Sequence, residues 1–81
     1  MYQKKYVCVD ARFEIDGSIV PHTIYWADGK VFKIEKITNI CHAASIKSGG
    51  AGIRYTCKIN NTLTYLFLEK DRWFVEAKNN I

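Results

Sequence analysis

The feature that most constrains the fold is a two-residue alternation of apolar and polar side chains that recurs along the chain. Within the segment Lys5 to Ile15, apolar residues occupy every second position from Val7 onward, while the positions between them carry a thiol or a charge. Successive side chains of a β-strand point to opposite faces, so this pattern predicts a strand with one buried face. The alternation returns from Ile53 to Ile59, which predicts a second strand of the same kind.

Short clusters of turn-forming residues separate the predicted strands. They are Asp16-Gly17-Ser18, Ala27-Asp28-Gly29, Asn60-Asn61 and Glu69-Lys70-Asp71. Glycine and asparagine accept the positive φ angles that tight hairpins require. The predicted strands are therefore residues 5–15, 19–26, 30–40, 53–59, 62–68 and 72–77.

Two local irregularities refine this assignment. Pro21 has no backbone N–H to give to a ladder, so its strand should lie at a sheet edge or begin after the proline. The alternation slips near Glu35 and Lys36, which predicts a bulge or bend in the strand that contains them.

Together these signals predict a single all-β domain over residues 1–81. A chain of 81 residues can bury one core, and a curled sheet is the economical way to bury a face and protect edges. We predict a small, SH3-like, partly open barrel of five to six antiparallel strands in a meander. An OB-type barrel is the alternative, although that fold usually places a helix between its third and fourth strands.

Charge and composition narrow the possible partners. The formal net charge is +4 and the isoelectric point is about 9.1, which favours nucleic acid or an acidic protein as partner. No stretch has the length and hydropathy of a membrane span or of a signal peptide, so we expect no membrane association. Three widely spaced cysteines without a C-x-x-C pattern indicate reduced, buried thiols in a cytoplasmic protein.

The chain lacks a pattern typical of catalysis or of metal binding. His22 and His42 are the only histidines, and His42 adjoins Cys41, but neighbours in a strand point to opposite faces. The spacing of the cysteines and histidines does not provide the paired ligands of a zinc site. We therefore expect no enzyme activity, no cofactor and no metal. Oxidative pairing of Cys41 with Cys57 across adjacent strands stays open.

The segment Cys41–Tyr55 is the one connection that is longer than a hairpin turn. It could begin with one helical turn, and it continues into a glycine-rich loop flanked by Lys47 and Arg54. Such a loop can direct backbone N–H groups at an anion, or it can be a turn that needs positive φ. On the first interpretation, the candidate binding residues are Lys47, Gly49, Gly50, Gly52, Arg54, Lys58 and Arg72.

Aromatic residues suggest a second kind of surface. Eleven large rings exceed what a barrel of this size can bury, so some should be exposed. Exposed rings beside cations could stack bases, or they could anchor a protein interface or a homodimer. Trp26 and Trp73 are the candidate anchors for that alternative function.

The chain also resembles a family of short uncharacterised proteins of clostridia and related bacteria. The matching motifs are the Trp-x-Asp-Gly turn at residues 26–29, Ala-Ala-Ser-x-Lys-x-Gly-Gly at 43–50, and Arg-Trp-Phe-Val-Glu at 72–76. It is distantly similar to small domains associated with error-prone DNA polymerases. The resemblance implies a bacterial protein in a nucleic-acid or repair context, and it supplies no catalytic residues.

Overall fold

The computed structural model describes residues 2–43 and 52–78, and their regular structure is entirely β. The strands are β1 (Tyr2–Phe13), β2 (Ile19–Tyr25), β3 (Val31–Lys33), β4 (Lys36–Ala43), β5 (Gly52–Ile59), β6 (Thr62–Glu69) and β7 (Arg72–Lys78). They form one antiparallel sheet that curls into an open half-barrel. The predicted all-β, partly open barrel is confirmed, with seven strands instead of five to six because segment 30–40 divides into β3 and β4.

The sheet consists of two meanders joined side by side. The strand order is β3-β2-β1-β7-β6-β5-β4, so β1–β3 form one meander and β4–β7 the other. Strand β1 joins them, because residues 2–7 pair with β7 and residues 8–13 pair with β2. The first and second halves of β1 therefore belong to different parts of the sheet.

A two-residue link connects the two edges of the sheet. Strands β3 and β4 lie at opposite ends of the strand order, yet only Ile34 and Glu35 separate them. The Ile34 N–H donates to the His22 carbonyl (2.9 Å), and the Glu35 N–H donates to the Lys58 carbonyl (2.8 Å). Adjacent residues thus bond to β2 and to β5, which brings the two ends of the curled sheet together. The bend predicted near Glu35–Lys36 lies at this link.

Pro21 does not mark an edge strand, contrary to the first of the two expectations. Strand β2 contains Pro21 and lies between β1 and β3. The β1–β2 register shifts at this point, since Asp10 opposes Thr23 while Ala11 opposes Pro21. Strand β3 pairs only with residues 23–25, so the proline sits beyond the reach of that ladder. The register shift in the β1–β2 ladder and the lack of a β3 partner opposite Pro21 explain how β2 tolerates the proline.

The core lies on the inner face of the curled sheet. Its buried members are Ile24, Tyr55, Cys57, Leu66, Leu68 and Val75. The Tyr55 hydroxyl donates a hydrogen bond of 2.5 Å to the Ile19 carbonyl, which ties β5 to β2 across the interior. Burial raises the pKa of the Tyr55 hydroxyl, so the group stays protonated and able to donate.

We predict that Tyr55→Phe lowers the free energy of unfolding by about 1–3 kcal/mol, because a half-buried carbonyl loses its donor. Urea denaturation followed by circular dichroism measures the change. Tyr65→Phe is the matched control, since no described residue accepts a hydrogen bond from the Tyr65 hydroxyl. Equal stability of the Tyr55→Phe and wild-type proteins would show that the hydrogen bond does not hold the two halves together.

Candidate functional site

Residues on the outer face of the sheet form a continuous surface across four strands. Arg54 on β5 opposes Phe67 on β6, Phe67 opposes Phe74 on β7, and Phe74 opposes Tyr6 on β1. Directly opposed residues point to the same face, so all four side chains project outward. We call this surface the outer face and define it by Lys4, Tyr6, Lys36, Arg54, Lys58, Tyr65, Phe67, Glu69, Arg72 and Phe74.

Four aromatic rings run across the middle of the outer face. Phe67 and Phe74 stack with centroids 5.0 Å apart and an interplanar angle of 12°. Tyr65 lies against Phe67 (6.5 Å), and Tyr6 meets Phe74 edge-on (5.8 Å). The two phenylalanines are buried, whereas Tyr65 and Tyr6 are 50% and 43% exposed. The row therefore has an apolar centre and an accessible tyrosine at each end.

Three cations lie over these rings. The Arg72 guanidinium is 4.2 Å from the Tyr6 centroid, and the Arg54 guanidinium is 4.7 Å from that of Tyr65. The Lys4 ammonium lies 5.2 Å from the centre of Phe74. Each cation–π contact contributes about 0.5–2 kcal/mol, depending on how much water it excludes.

One of the three cations is neutralised by a carboxylate. Lys4 Nζ lies 2.8 Å from Glu69 Oε2, and the pair is about four-fifths buried at the side-chain level. The hydrogen bond from Lys4, with smaller contributions from Tyr6 and Arg72, holds the pKa of Glu69 below its usual value. The Lys4–Glu69 pair thus covers the Phe74 ring and adds little net charge to the outer face.

The other cations on the outer face form no ion pair with a described carboxylate. They are Lys36, Arg54, Lys58 and Arg72. Arg72 opposes Glu69 and helps to lower its pKa, but its guanidinium does not form an ion pair with that carboxylate. Lys36 and Lys58 are directly opposed across β4 and β5, an arrangement in which like charges repel. Arg54 Nε is buried without a hydrogen-bond acceptor.

Glu76 also projects from this face, since it opposes Lys4. Cations still outnumber carboxylates around the aromatic row, so the outer face carries a net positive charge.

The structure brings together three of the predicted binding residues. Arg54, Lys58 and Arg72 all lie on the outer face. Lys47, Gly49 and Gly50 lie outside the described residues.

Gly52, the remaining member of the predicted set, has a structural reason to be glycine. A Cβ at this position would lie 2.5 Å from the Leu68 carbonyl oxygen and 3.2 Å from its carbon. Such contacts are too close for any side chain, so the backbones of β5 and β6 require the missing Cβ.

Trp26 and Trp73 are not the exposed anchors that the sequence suggested. Both are half-buried and pack against the inner core. Trp26 meets Phe32 edge-on at 6.1 Å, and Trp73 lies 5.4 Å from Tyr55. Alternation places both on the face that the sheet encloses, which is why they are withdrawn from solvent.

Sequence reasoning missed three contributors to the outer face, namely Lys4, Tyr6 and Lys36. A signal was available for Tyr6, which occupies the opposite phase to Val7 and Val9. Nothing local indicated that β1 and β7 would pair and bring Tyr6 beside Phe74.

A cavity of about 490 Å³ opens on the inner side, where β6 and β7 separate. The β6–β7 ladder covers only Phe67–Glu69 against Arg72–Phe74, so the strands diverge beyond it. The cavity is lined by Ile24, Trp26, Lys30, Phe32, Ile59, Asn60, Thr62, Thr64, Val75 and Glu76. Its volume is within the usual range for small-molecule pockets, and its lining is largely apolar.

The three cysteines occupy different environments, which corrects the expectation that all are buried. Cys8 is exposed, Cys41 half-buried and Cys57 buried, and all three thiols are free. Burial raises the pKa of Cys57 to about 11, so this thiol is unreactive near neutral pH. Cys41 opposes Arg54 and faces outward, whereas Cys57 belongs to the inner core. A Cys41–Cys57 disulfide is therefore excluded by geometry.

The described residues contain neither a metal-binding cluster nor a membrane-spanning helix. No group of three or more histidine, cysteine, aspartate or glutamate side chains in residues 2–43 and 52–78 is placed to hold a metal ion. The same part of the chain contains no helix long and apolar enough to cross a membrane.

Comparison with protein-family models, curated proteins and solved structures found no match. The resemblance to short clostridial proteins therefore stays a prediction. The function has to be inferred from the geometry and charge of the outer face.

We predict that Gly52→Ala lowers the free energy of unfolding by about 1–3 kcal/mol, because the added methyl forces apart the backbones of β5 and β6. Urea denaturation gives the value. The comparison is Gly29→Asn, where nothing lies within 4 Å of a Cβ but the φ of +91° strains any side chain, so this variant measures the cost of backbone strain without a steric clash. No measurable loss of stability at Gly52 would contradict the close-approach explanation.

Proposed function

We propose that the outer face binds a polyanion, and that the protein is a non-enzymatic binding module for nucleic acid or another polyanion in the cytoplasm. The observation that carries this proposal is the group of four cations on one face that form no ion pair with a described carboxylate: Lys36, Arg54, Lys58 and Arg72.

Repulsion within this group supports an anionic ligand. Lys36 and Lys58 oppose each other directly, and cross-strand pairs of like charge destabilise a sheet. A bound phosphate or sulfate group would lie between the two ammonium groups and convert the repulsion into attraction. The formal net charge of +4 adds a long-range attraction for the same partners.

Arginine is well suited to this role at positions 54 and 72. Its guanidinium is weakly hydrated, stays charged at all relevant pH values and presents N–H groups in a planar fork that matches phosphate oxygens. Both guanidinium groups rest on tyrosine rings, which limits their motion before a ligand arrives. A pre-positioned cation loses less entropy on binding.

The proposal predicts measurable, salt-dependent binding to a labelled oligonucleotide and to polyphosphate. If the four cations each contact a phosphate, log Kd should change with log salt with a slope near 3 in magnitude for a single strand. Fluorescence anisotropy between about 50 and 200 mM NaCl gives this slope. The double variant Lys36→Gln/Lys58→Gln should weaken binding and reduce the slope by about one to two.

The matched control is Arg12→Gln/Lys33→Gln, which removes the same charge from β1 and β3 in the other meander. It should bind nearly as well as the wild type. Equal losses in the two double variants would show that only net charge matters, and no binding of any polyanion at low salt would refute the proposal.

The alternative function is self-association through exposed hydrophobic residues. Phe13 is 76% exposed and Ile15 is fully exposed, both beside the turn that joins β1 to β2. A second copy could cover these side chains. We predict that Phe13→Ser/Ile15→Ser turns any dimer seen by sedimentation into a monomer. A wild-type protein that is monomeric at high concentration would remove this alternative.

A further inference from the structure

The two exposed tyrosines of the outer face share one local arrangement. Arg54 opposes Phe67, two residues along β6 from Tyr65, and contacts the Tyr65 ring diagonally. Arg72 lies two residues along β7 from Phe74, which opposes Tyr6, and contacts the Tyr6 ring in the same way. Each end of the aromatic row thus carries a pair of one phenol ring and one guanidinium.

These pairs do more than shield the buried phenylalanines from water. Lys4 already lies over Phe74, and its charge is balanced by Glu69. The arginines instead lie over rings that stay 43–50% exposed, so much of the apolar area at both ends is still open to solvent. A purely covering role would not require arginines that form no ion pair with a described carboxylate.

We propose that the polyanion is single-stranded nucleic acid, whose bases stack on the Tyr65–Arg54 and Tyr6–Arg72 pairs while its phosphates meet Lys36 and Lys58. This inference rests on the proposed polyanion-binding function. Single-strand binding surfaces combine a cationic path for the backbone with aromatic or guanidinium planes for the bases. Both components occur together on the outer face.

The curvature of the sheet favours a single strand over a duplex. The outer face is the outside of a half-barrel, so it is convex, and residues 2–43 and 52–78 present no helix or extended ribbon on it that could enter a groove. Double-stranded DNA is stiff over about 150 base pairs, and it would touch a small convex surface over only a short length. A flexible single strand can follow the curvature, and its bases are free to stack.

The experiment compares ligands that share phosphates but differ in their bases. The probes are labelled oligothymidylate of about twelve nucleotides, an abasic strand of the same length, the corresponding duplex, and polyphosphate. We expect the oligothymidylate to bind at least about ten-fold more tightly than the abasic strand, because base stacking adds to phosphate contacts.

Variants locate the stacking sites. Tyr65→Leu and Tyr6→Leu keep apolar cover over the phenylalanines, and each should weaken oligothymidylate binding by about five-fold to a hundred-fold. The loss for the abasic strand should be clearly smaller, because that strand loses only the positioning of the arginine by the ring and not a stacked base. Tyr25→Leu is the control, since Tyr25 is a comparably exposed tyrosine that bonds to Asp10 on the β1–β2 ladder, away from the aromatic row.

Arg54→Lys and Arg72→Lys supply a second test that keeps the charge and removes the planar guanidinium. They should weaken binding to oligothymidylate more than binding to polyphosphate, because both ligands lose the phosphate fork but only the oligonucleotide loses a stacking plane. These variants keep the proposal testable if a leucine variant fails to fold.

Equal affinity for normal and abasic strands, a preference for the duplex, or leucine variants that bind as tightly as the wild type would each overturn the inference. In all three cases polyanion binding itself would survive. Failure of every probe to bind, polyphosphate included, would instead remove the proposed function on which the inference rests.

Discussion

The two-residue link between β3 and β4 is the constraint on which the rest of the structure depends. Seven strands laid flat would separate the first from the last by about 29 Å. Three peptide units, from Lys33 to Lys36, span at most about 11 Å. The sheet must therefore curl until its two edge strands approach each other. The hydrogen bonds of Ile34 to β2 and of Glu35 to β5 show where this closure occurs.

Curling makes the two faces of the sheet unequal. On the inner face side chains converge, so residues of moderate size such as Cys57, Leu66 and Val75 fill the space completely. On the outer face side chains diverge, and only large ones can still touch across strands. Phe67 and Phe74 make such a contact, and both are buried although no second sheet covers them. Their cover consists of the tyrosines, arginines and lysine that surround them, which places cations next to rings.

Local patterns in the sequence were sufficient to predict the strands and their turns. Asn60 and Asn61 both adopt positive φ, 49° and 61°, as expected for a two-residue hairpin turn between β5 and β6. The alternation from Ile53 to Ile59 correctly assigned Tyr55 to the core and Arg54 with Lys58 to the opposite face. These predictions depend only on residues that are close in the sequence, because the two-residue period of a strand decides which face each side chain occupies.

The strand order and the composition of the site could not be predicted in the same way. The pairing of β1 with β7 joins segments from the two ends of the chain, and no local pattern encodes that register. Tyr6 approaches Arg72 only because of this ladder, so one of the two tyrosine–arginine pairs depends on a long-range contact. The division of residues 30–40 into two strands was equally hidden, because the slip in alternation indicated a bend but not that the two parts lie at opposite edges.

The uncompensated cations of the outer face are best understood as a departure from what stability alone would select. Like-charged residues directly opposed on neighbouring strands destabilise a sheet, and a buried Nε without an acceptor costs free energy. The same surface shows that compensation was available, since Glu69 pairs with Lys4 at its centre. Positions where local consistency fails in an otherwise consistent fold tend to be functional. The proposed binding of an anionic, ring-bearing ligand therefore rests on the combination of cations that form no ion pair with rings that stay exposed.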